Sequence, residues 1–362
     1  MSIDSIVMDV IDGKKKAPFF SQVLRACSLL YGSAVAFRHF AYRLGVCKTH
    51  KAGVLVVSVG NIACGGTGKT PFVRFIAKSL LPGSQVAILS RGYRSASEHL
   101  AHPILITGEN GPLFAAAVCG DEPYLLASSL PGAAVWVGKH RHKAARRAAE
   151  NGTDVIILDD GMQYRKLARD IEIVIVDGQD MLAGGRLLPS GRLRDFPYRL
   201  RSADLVVVNH ADENIPFSVY QQQLRSLTEA PFITVRMRSI AQTGELIRGR
   251  PVGVFCALGR PDRFVAAVGN FPSQVMDVLT APDHSSFPEA ALQNFALACR
   301  KKGAEALVCS AKDAVKLPPQ LRLDLPLVIL DAEMEILQGH DTWKAMLDRI
   351  KTQSVSMKGN YL

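Results

Sequence analysis

A run of apolar, mostly β-branched residues, Val54-Leu55-Val56-Val57-Ser58-Val59, leads through Gly60-Asn61-Ile62 into Ala63-Cys64-Gly65-Gly66-Thr67-Gly68 and then Lys69-Thr70-Pro71. Strand, glycine-rich turn and helix start, in that order, are the context of a phosphate-binding loop. Glycines let successive backbone N–H groups converge on phosphate oxygens without interference from Cβ atoms. The helix that follows, Pro71 to Leu80, turns its N-terminus toward the same anion. Residues Ala63, Cys64, Gly65, Gly66, Thr67 and Gly68 form the expected cradle, Lys69 reaches the β- and γ-phosphates of ATP, and the Thr70 hydroxyl takes a place on Mg²⁺. The strict pattern has Gly where Ala63 stands, a tolerated change.

A second apolar run, Val155-Ile156-Ile157-Leu158, ends in Asp159-Asp160-Gly161. Carboxylates at the carboxyl edge of a parallel sheet face the ligand crevice, so Asp159 and Asp160 are the expected metal-side residues, acting directly or through water. Further runs at Val86–Ser90, Ala133–Val137, Ile171–Val176 and Leu205–Val208 alternate with helical or turn-rich segments. A later set lies at Val252–Ala257, Val275–Leu279, Ala306–Cys309 and Leu327–Leu330. Short continuous apolar strands alternating with helices read as parallel sheet covered on both faces. The pattern predicts an α/β chain: a P-loop NTPase-type parallel-sheet domain and a smaller second α/β domain, preceded by an N-terminal amphipathic helix. The expected boundaries are 1–52 for the helical arm, 53–230 for the kinase domain, 231–250 for a hairpin linker containing Thr243-Gly244, and 251–362 for the second domain.

Charge is distributed unevenly. Thirteen basic residues and no acidic one lie between Gly13 and Ser97, enough with the three aspartates of Met1–Asp12 to account for the whole net charge of +10. A positive field around a phosphate loop suits an anionic nucleotide and an anionic acceptor, or an anionic membrane surface. Phe19 to Gly45 reads as a helix with a broad apolar surface (Phe20, Val23, Leu24, Leu30, Phe37, Leu44), with Arg25 and Arg43 sharing one face and Lys14, Lys15 and Lys16 ahead of it. That pattern fits a helix lying in the membrane interface; an ordinary helix packed on its own domain is the alternative. The uncharged stretch Ala26–Phe37 is too short for the roughly 20 residues that span a bilayer. Seven cysteines without a C-x-x-C pair point to a reducing compartment and to cysteines used as small core residues. No zinc-finger or RNA-binding signature is present, so no nucleic-acid partner is expected, and no obligate protein partner either. His140-Arg141-His142 has no metal-site spacing and reads as a solvated basic loop.

Two switch-type signatures are incomplete. ATPases and GTPases with a K-G-G-x-G-K-T loop carry a lysine where Cys64 stands, and Asn209-His210-Ala211-Asp212 has His210 in place of the lysine of a guanine-reading N-K-x-D motif. A membrane-associated nucleotide switch, hydrolysing ATP or GTP, is the alternative function.

The ordered motifs extend well beyond the loop: Ser90-Arg91-Gly92-Tyr93, Gly120-Asp121-Glu122-Pro123-Tyr124, Asp159-Asp160-Gly161-Met162-Gln163, Arg186-Leu187-Leu188-Pro189-Ser190-Gly191 with Leu193-Arg194, Ala257-Leu258-Gly259-Arg260-Pro261, Pro282-Asp283-His284 and Lys312-Asp313-Ala314-Val315-Lys316. In this order they resemble the tetraacyldisaccharide 4′-kinase family of lipid A biosynthesis over nearly the whole chain. The resemblance implies transfer of the γ-phosphate of ATP, with Mg²⁺, to the 4′-hydroxyl of an acylated disaccharide 1-phosphate at the cytoplasmic face of the inner membrane. It implies Asp121 as the base that takes the hydroxyl proton and His284 as its orienting partner, and Glu122 is expected on the metal side, binding the metal's water or bracing its ligands. Arg91, Tyr93, Arg141 and Gln163 are then expected on the acceptor's path. Tyr164 stands where the family usually has His, and Ser310-Ala311 replace Thr-Glu ahead of Lys312-Asp313.

Overall fold

The computed structural model describes residues 11, 17–108, 111–241, 249–269, 271, 273–283, 285–318 and 320–359. The principal elements begin with α1 (Pro18–Arg43), β1 (Leu55–Gly60), α2 (Lys69–Leu80) and β2 (Val86–Ser90). Next come α3 (Asp121–Ser129), β3 (Ala134–Val137), α4 (Arg141–Glu150) and β4 (Val155–Asp159). β5 (Ile171–Asp177), β6 (Leu205–Asn209), α5 (Phe217–Arg225) and β7 (Phe232–Ala241) follow. Then come β8 (Pro251–Cys256), α6 (Pro261–Gly269), β9 (Gln274–Thr280) and α7 (Glu289–Lys301). The last are β10 (Ala306–Ser310), β11 (Leu327–Gln338) and α8 (His340–Gly359).

These elements gather into two compact units. The first takes the chain up to Ser90, His140–Arg236 and Glu335 onward; the second takes Arg91–Lys139 and Met237–Met334. In the first unit the strands run parallel in the order β7-β6-β5-β1-β4-β2. Every residue of β1, β2, β4 and β6 is buried, the reason these segments read as unbroken apolar runs rather than alternating ones. β1 lies between β4 and β5, with Val59 opposite Asp159, so the phosphate loop and the paired aspartates leave the sheet at the same edge. The C-terminal helix α8 belongs to this unit, and Trp343 packs on Phe72 and Phe75 of α2 at ring separations of 5.7 and 5.2 Å. Truncating a buried ring of that kind costs about 3–5 kcal/mol.

α1 divides its apolar surface. Leu24, Ser28, Gly32, Val35 and Ala41 are buried, whereas Phe19, Leu29, Leu30, Phe37, Phe40 and Leu44 are exposed. The buried stripe is narrow and partly polar, which the apolar pattern alone hid. The Ser28 hydroxyl donates to the Leu187 carbonyl at 2.9 Å, accepts from the Ser190 amide at 2.9 Å, and leaves the helix pinned to the Leu187–Arg194 segment. Tyr31 adds a bond from its hydroxyl to the Arg194 carbonyl at 2.8 Å. Gly32 is needed for this approach, since a Cβ there would stand 3.0 Å from Leu187 Cδ1. Among the described residues no helix is long and apolar enough to cross a membrane. Lys14, Lys15 and Lys16 lie outside the described residues.

In the second unit β9-β8-β10-β11 are parallel, and Ile104–Leu105 pairs antiparallel with β3. Phe255, Leu292, Ala296, Cys299, Leu307 and Cys309 form its core against α7. Burial pushes the Cys119 thiol up to about 11 and the Cys256 thiol up to about 12, in keeping with cysteines that fill space rather than react. The segment read as a hairpin linker begins with the ten-residue strand β7; Thr243 and Gly244 lie outside the described residues.

Candidate active site

The phosphate loop is braced from three sides in the first unit. Asn61, fully buried, donates from Nδ2 to Thr67 Oγ1 at 2.7 Å. Asn209, the last residue of β6, donates from Nδ2 to the Thr67 carbonyl at 2.9 Å. The Cys64 amide is bonded to the Arg192 carbonyl at 2.7 Å. Gly68 caps α2 with φ 81°, a left-handed conformation that a side chain would strain. No side chain caps α2 and its first turn holds no acidic residue, so its leading N–H groups are left for an anion.

Above this loop sits a cation–carboxylate lattice. Asp160 adopts φ 49° just past the end of β4. Arg194 grips it with both terminal nitrogens, at 2.9 and 2.7 Å, and Lys69 Nζ approaches Oδ1 to 3.6 Å. Arg194 also bonds Asn61 Oδ1, which ties the grip back to the loop. Burial alone would raise the Asp160 carboxyl, but Lys69 and Arg194 overcome it and hold that group well below the usual carboxylate range. Asp159, the last residue of β4, is buried and receives Ser90 Oγ at 3.3 Å, a hard oxygen donor at the same sheet edge as the phosphate loop. Gln163 donates from Nε2 to the Asn61 carbonyl at 2.9 Å and so braces the same loop.

Arg141, expected on the acceptor's path within a solvated basic loop, is only 6% exposed. Its Nη1 donates to the carbonyls of Asp159 and Asp160 at 2.8 and 3.1 Å, and its guanidinium lies 4.2 Å from the Tyr164 ring centroid. The solvated-loop reading fails because Arg141 begins α4 and points beneath the paired-aspartate turn. The Asn209–Asp212 turn also declares its role: Asp212 Oδ1 accepts from the Asn214 amide and side chain at 2.8 and 2.9 Å, a local turn-forming use of that carboxylate.

The second unit holds another charged cluster. Asp121 opens α3 after Gly120, and Lys316 Nζ stands 3.8 Å from its Oδ2. The same ammonium lies 3.0 Å from Asp313, which is itself buried and bonded by the Ser310 hydroxyl at 2.6 Å. Lys316 also donates to the Ser285 carbonyl at 2.9 Å. Glu122 and Asp283 share Lys312 at 3.3 and 3.2 Å. Burial opposes the charge on Lys312, yet the two carboxylates win and raise its proton affinity. Arg91 is paired with Glu98 at 2.7 Å, and Tyr93, 54% exposed, has Arg91 and Arg94 at 5.9 and 5.3 Å from its ring. His284 lies outside the described residues. Among the described residues no group of three or more His, Cys, Asp or Glu is arranged to hold a metal by itself.

Arg194, Asn61, Asn209 and Lys316 carry much of this geometry, and none was singled out for a role from sequence. Arg194 and Lys316 stood inside motifs but offered no spacing signal of their own; only the folded chain brings them to their carboxylates.

A buried parallel sheet with a phosphate loop at one strand end and paired aspartates at its neighbour's defines a phosphate-loop phosphotransferase. The chain belongs to the tetraacyldisaccharide-1-P 4′-kinase family, whose model matches residues 20–351. It is 37% identical to the tetraacyldisaccharide 4′-kinase of Chlamydia pneumoniae over 313 residues, 83% of each chain. It is 36% identical to that of Anaeromyxobacter dehalogenans (strain 2CP-C) over 334 residues, 88% of this chain and 87% of the relative. The crystal structure of LpxK from Aquifex aeolicus in complex with ATP superposes with a TM-score of 0.71 at 29% identity, covering 91% of this chain and 99% of that one.

Proposed function

We propose that this kinase transfers the γ-phosphate of ATP to the 4′-hydroxyl of a tetraacyldisaccharide 1-phosphate, working at the cytoplasmic face of the inner membrane. The observation that carries the reading is the open N-terminus of α2 beneath Lys69, in a family whose relatives bear this kinase name. Residues 63–68 wrap the phosphate chain with backbone amides, and Lys69 supplies positive charge where the transferring phosphoryl group gains it. Thr70 and Asp159 are hard oxygen donors suited to Mg²⁺, an ion that keeps several water and phosphate oxygens rather than a protein cage. Bound there, Mg²⁺ would neutralise charge on the β- and γ-phosphates.

Asp121 takes the proton of the attacking hydroxyl, and Lys316 holds its carboxylate in place. Arg91 and Tyr93 contact the acceptor, Tyr93 offering an exposed ring to a sugar face. Gln163 and Arg141 act through the phosphate loop and the Asp159–Asp160 turn, as positioning residues. Glu122 serves with Lys312 and is assigned no metal. The exposed side of α1 rests among lipid acyl chains with Arg25 and Arg43 at the headgroups.

The test is transfer of ³²P from γ-labelled ATP to the tetraacylated disaccharide 1-phosphate by the purified protein. Hydrolysis of ATP without labelling of that lipid sinks the assignment. GTP preference with nucleotide-dependent dimerisation would install the switch reading instead.

A further inference from the structure

Beside the carboxyl ends of β8 and β10, the second unit gathers Lys312 and Lys316 with Asp121, Glu122, Asp283 and Asp313, and the two lysines are used differently. Lys312 divides itself almost evenly, 3.3 Å from Glu122 and 3.2 Å from Asp283. Lys316 does not: its Nζ lies 3.0 Å from Asp313 and 3.8 Å from Asp121. Two of the three ammonium hydrogens are taken, by Asp313 Oδ1 and by the Ser285 carbonyl at 2.9 Å. Asp121 stands beyond hydrogen-bond reach of that nitrogen.

The cause is the fixity of Asp313. Its side chain is buried, and its oxygens are held from two adjacent strands. Ser310, the last residue of β10, donates its hydroxyl to Asp313 Oδ2 at 2.6 Å and accepts the Asp313 amide at 3.1 Å, capping the short helix Ala311–Ala314. The Ala257 amide, just past the end of β8, donates to Asp313 Oδ1 at 3.2 Å. β8 and β10 are paired neighbours, so this carboxylate is fastened to the sheet itself. Lys316, three residues on, falls on the same face and meets it. A buried carboxylate requires a cation or several hydrogen bonds, so burial enforces the contact with Asp313 more strongly than the one with Asp121.

For a base this difference matters. A carboxylate that receives a hydrogen bond from an ammonium is favoured in its charged form and is a poorer proton acceptor. A cation held short of that bond steadies the carboxylate by charge alone. We infer that Asp313 is a positioning residue for phosphoryl transfer: by anchoring Lys316 it withholds from Asp121 the hydrogen bond that would weaken it as a base. This rests on Asp121 being the base, as proposed above. Once the Asp313 charge is removed, Lys316 turns to Asp121 and closes on it. Once Lys316 is removed, Asp313 has no route to the reaction, and neutralising it changes nothing further.

The experiment measures ³²P transfer from γ-labelled ATP by the parent, Asp313→Asn, Lys316→Met and the two combined, with Asp121→Asn alongside and thermal melts to confirm folding. Asp313→Asn keeps an oxygen for the Ala257 amide, and the combined variant leaves neither partner of the buried pair charged and alone. Asp313→Asn is expected to lower kcat about tenfold with KM for ATP unchanged. The combined variant is expected to match Lys316→Met instead of falling about a hundredfold, because a residue acting only through another adds nothing once that other is gone. A merely structural Asp313 would add its own loss. A crystal structure of Asp313→Asn is expected to place Lys316 Nζ within about 3 Å of Asp121, a charge-assisted bond. The inference falls if Asp313→Asn transfers phosphate like the parent while Asp121→Asn is inactive, if the two losses add, or if Lys316 stays out of hydrogen-bond reach of Asp121 in the variant crystal. Unreduced transfer by Asp121→Asn would sink the base assignment beneath it, so the Asp121→Asn rate tells the two failures apart.

Discussion

Two adjacent acidic pairs, Asp159-Asp160 and Asp121-Glu122, look alike in the sequence and are treated differently by the fold. In the first, the members have diverged: Asp159 is buried against a neutral hydroxyl, while Asp160 is locked by a bidentate guanidinium and faced by Lys69. In the second, each carboxylate shares a lysine with another acid, Asp121 with Asp313 through Lys316 and Glu122 with Asp283 through Lys312. A guanidinium held in a fork fixes position; an ammonium shared between two acids leaves each only partly compensated and able to change partner or charge. The first arrangement suits a scaffold for phosphate and metal, the second the proton-accepting role proposed for Asp121.

The sharpest break in this comparison comes from Lys69→Ala, which removes the ammonium proposed to face the transferring phosphoryl group and is expected to lower ³²P transfer by about 10³-fold or more. Asp121→Asn should cost about 10²–10⁴-fold in turnover, the usual scale of acid–base catalysis, while ATP affinity measured by equilibrium dialysis stays the same. Transfer unaffected by that change would remove Asp121 from the mechanism. Arg194→Gln should reduce kcat about 10–10²-fold by freeing the Asp160 carboxylate and the loop residue Asn61, and Arg194→Lys should restore only part, because an ammonium cannot make the forked contact. Lys316→Met is expected to lower kcat about tenfold with little change in KM for ATP; an equal loss in ATP binding would make the lysine a mere structural strut.

The smallest effect concerns pH. The Asp160 carboxyl sits below its unfolded value near 3.9, so its contribution to stability is present above that pH and disappears as pH falls toward the folded value. Asp160→Asn should therefore destabilise the protein at pH 7 by about 1 kcal/mol, a modest figure because the side chain is 40% accessible and screened. Urea unfolding at pH 7, 5, 4 and 3 should show the gap between parent and variant closing below pH 4. A gap that stays constant would mean the ion pair stabilises nothing.

The α/β class, the ordered strands and the family were legible because buried parallel strands leave continuous apolar runs and the phosphate loop has a fixed spacing. Val86–Ser90 and Val155–Asp159 fall where the runs placed them. What stayed hidden depends on contacts between distant residues. Nothing local announces that Arg91–Lys139 clusters with Met237–Met334, or that the C-terminal helix packs through Trp343 on α2. Arg141 looked solvated because its neighbours are basic; its burial follows from two carbonyls 18 and 19 residues downstream. Ser28 and Gly32 were invisible as docking residues, since a small polar stripe contributes nothing to an apolar pattern.

That stripe has a practical consequence. Because Tyr31 is bonded to the main chain of Arg194 and Ser28 to the turn just before it, amputating the arm would loosen the guanidinium as well as remove the bilayer contact proposed for α1. Loss of catalysis after such a deletion could not be credited to failed membrane anchorage. Replacing Leu29, Leu30 and Phe37 with polar residues instead would alter adhesion while keeping the clasp closed, and would tell the two causes apart.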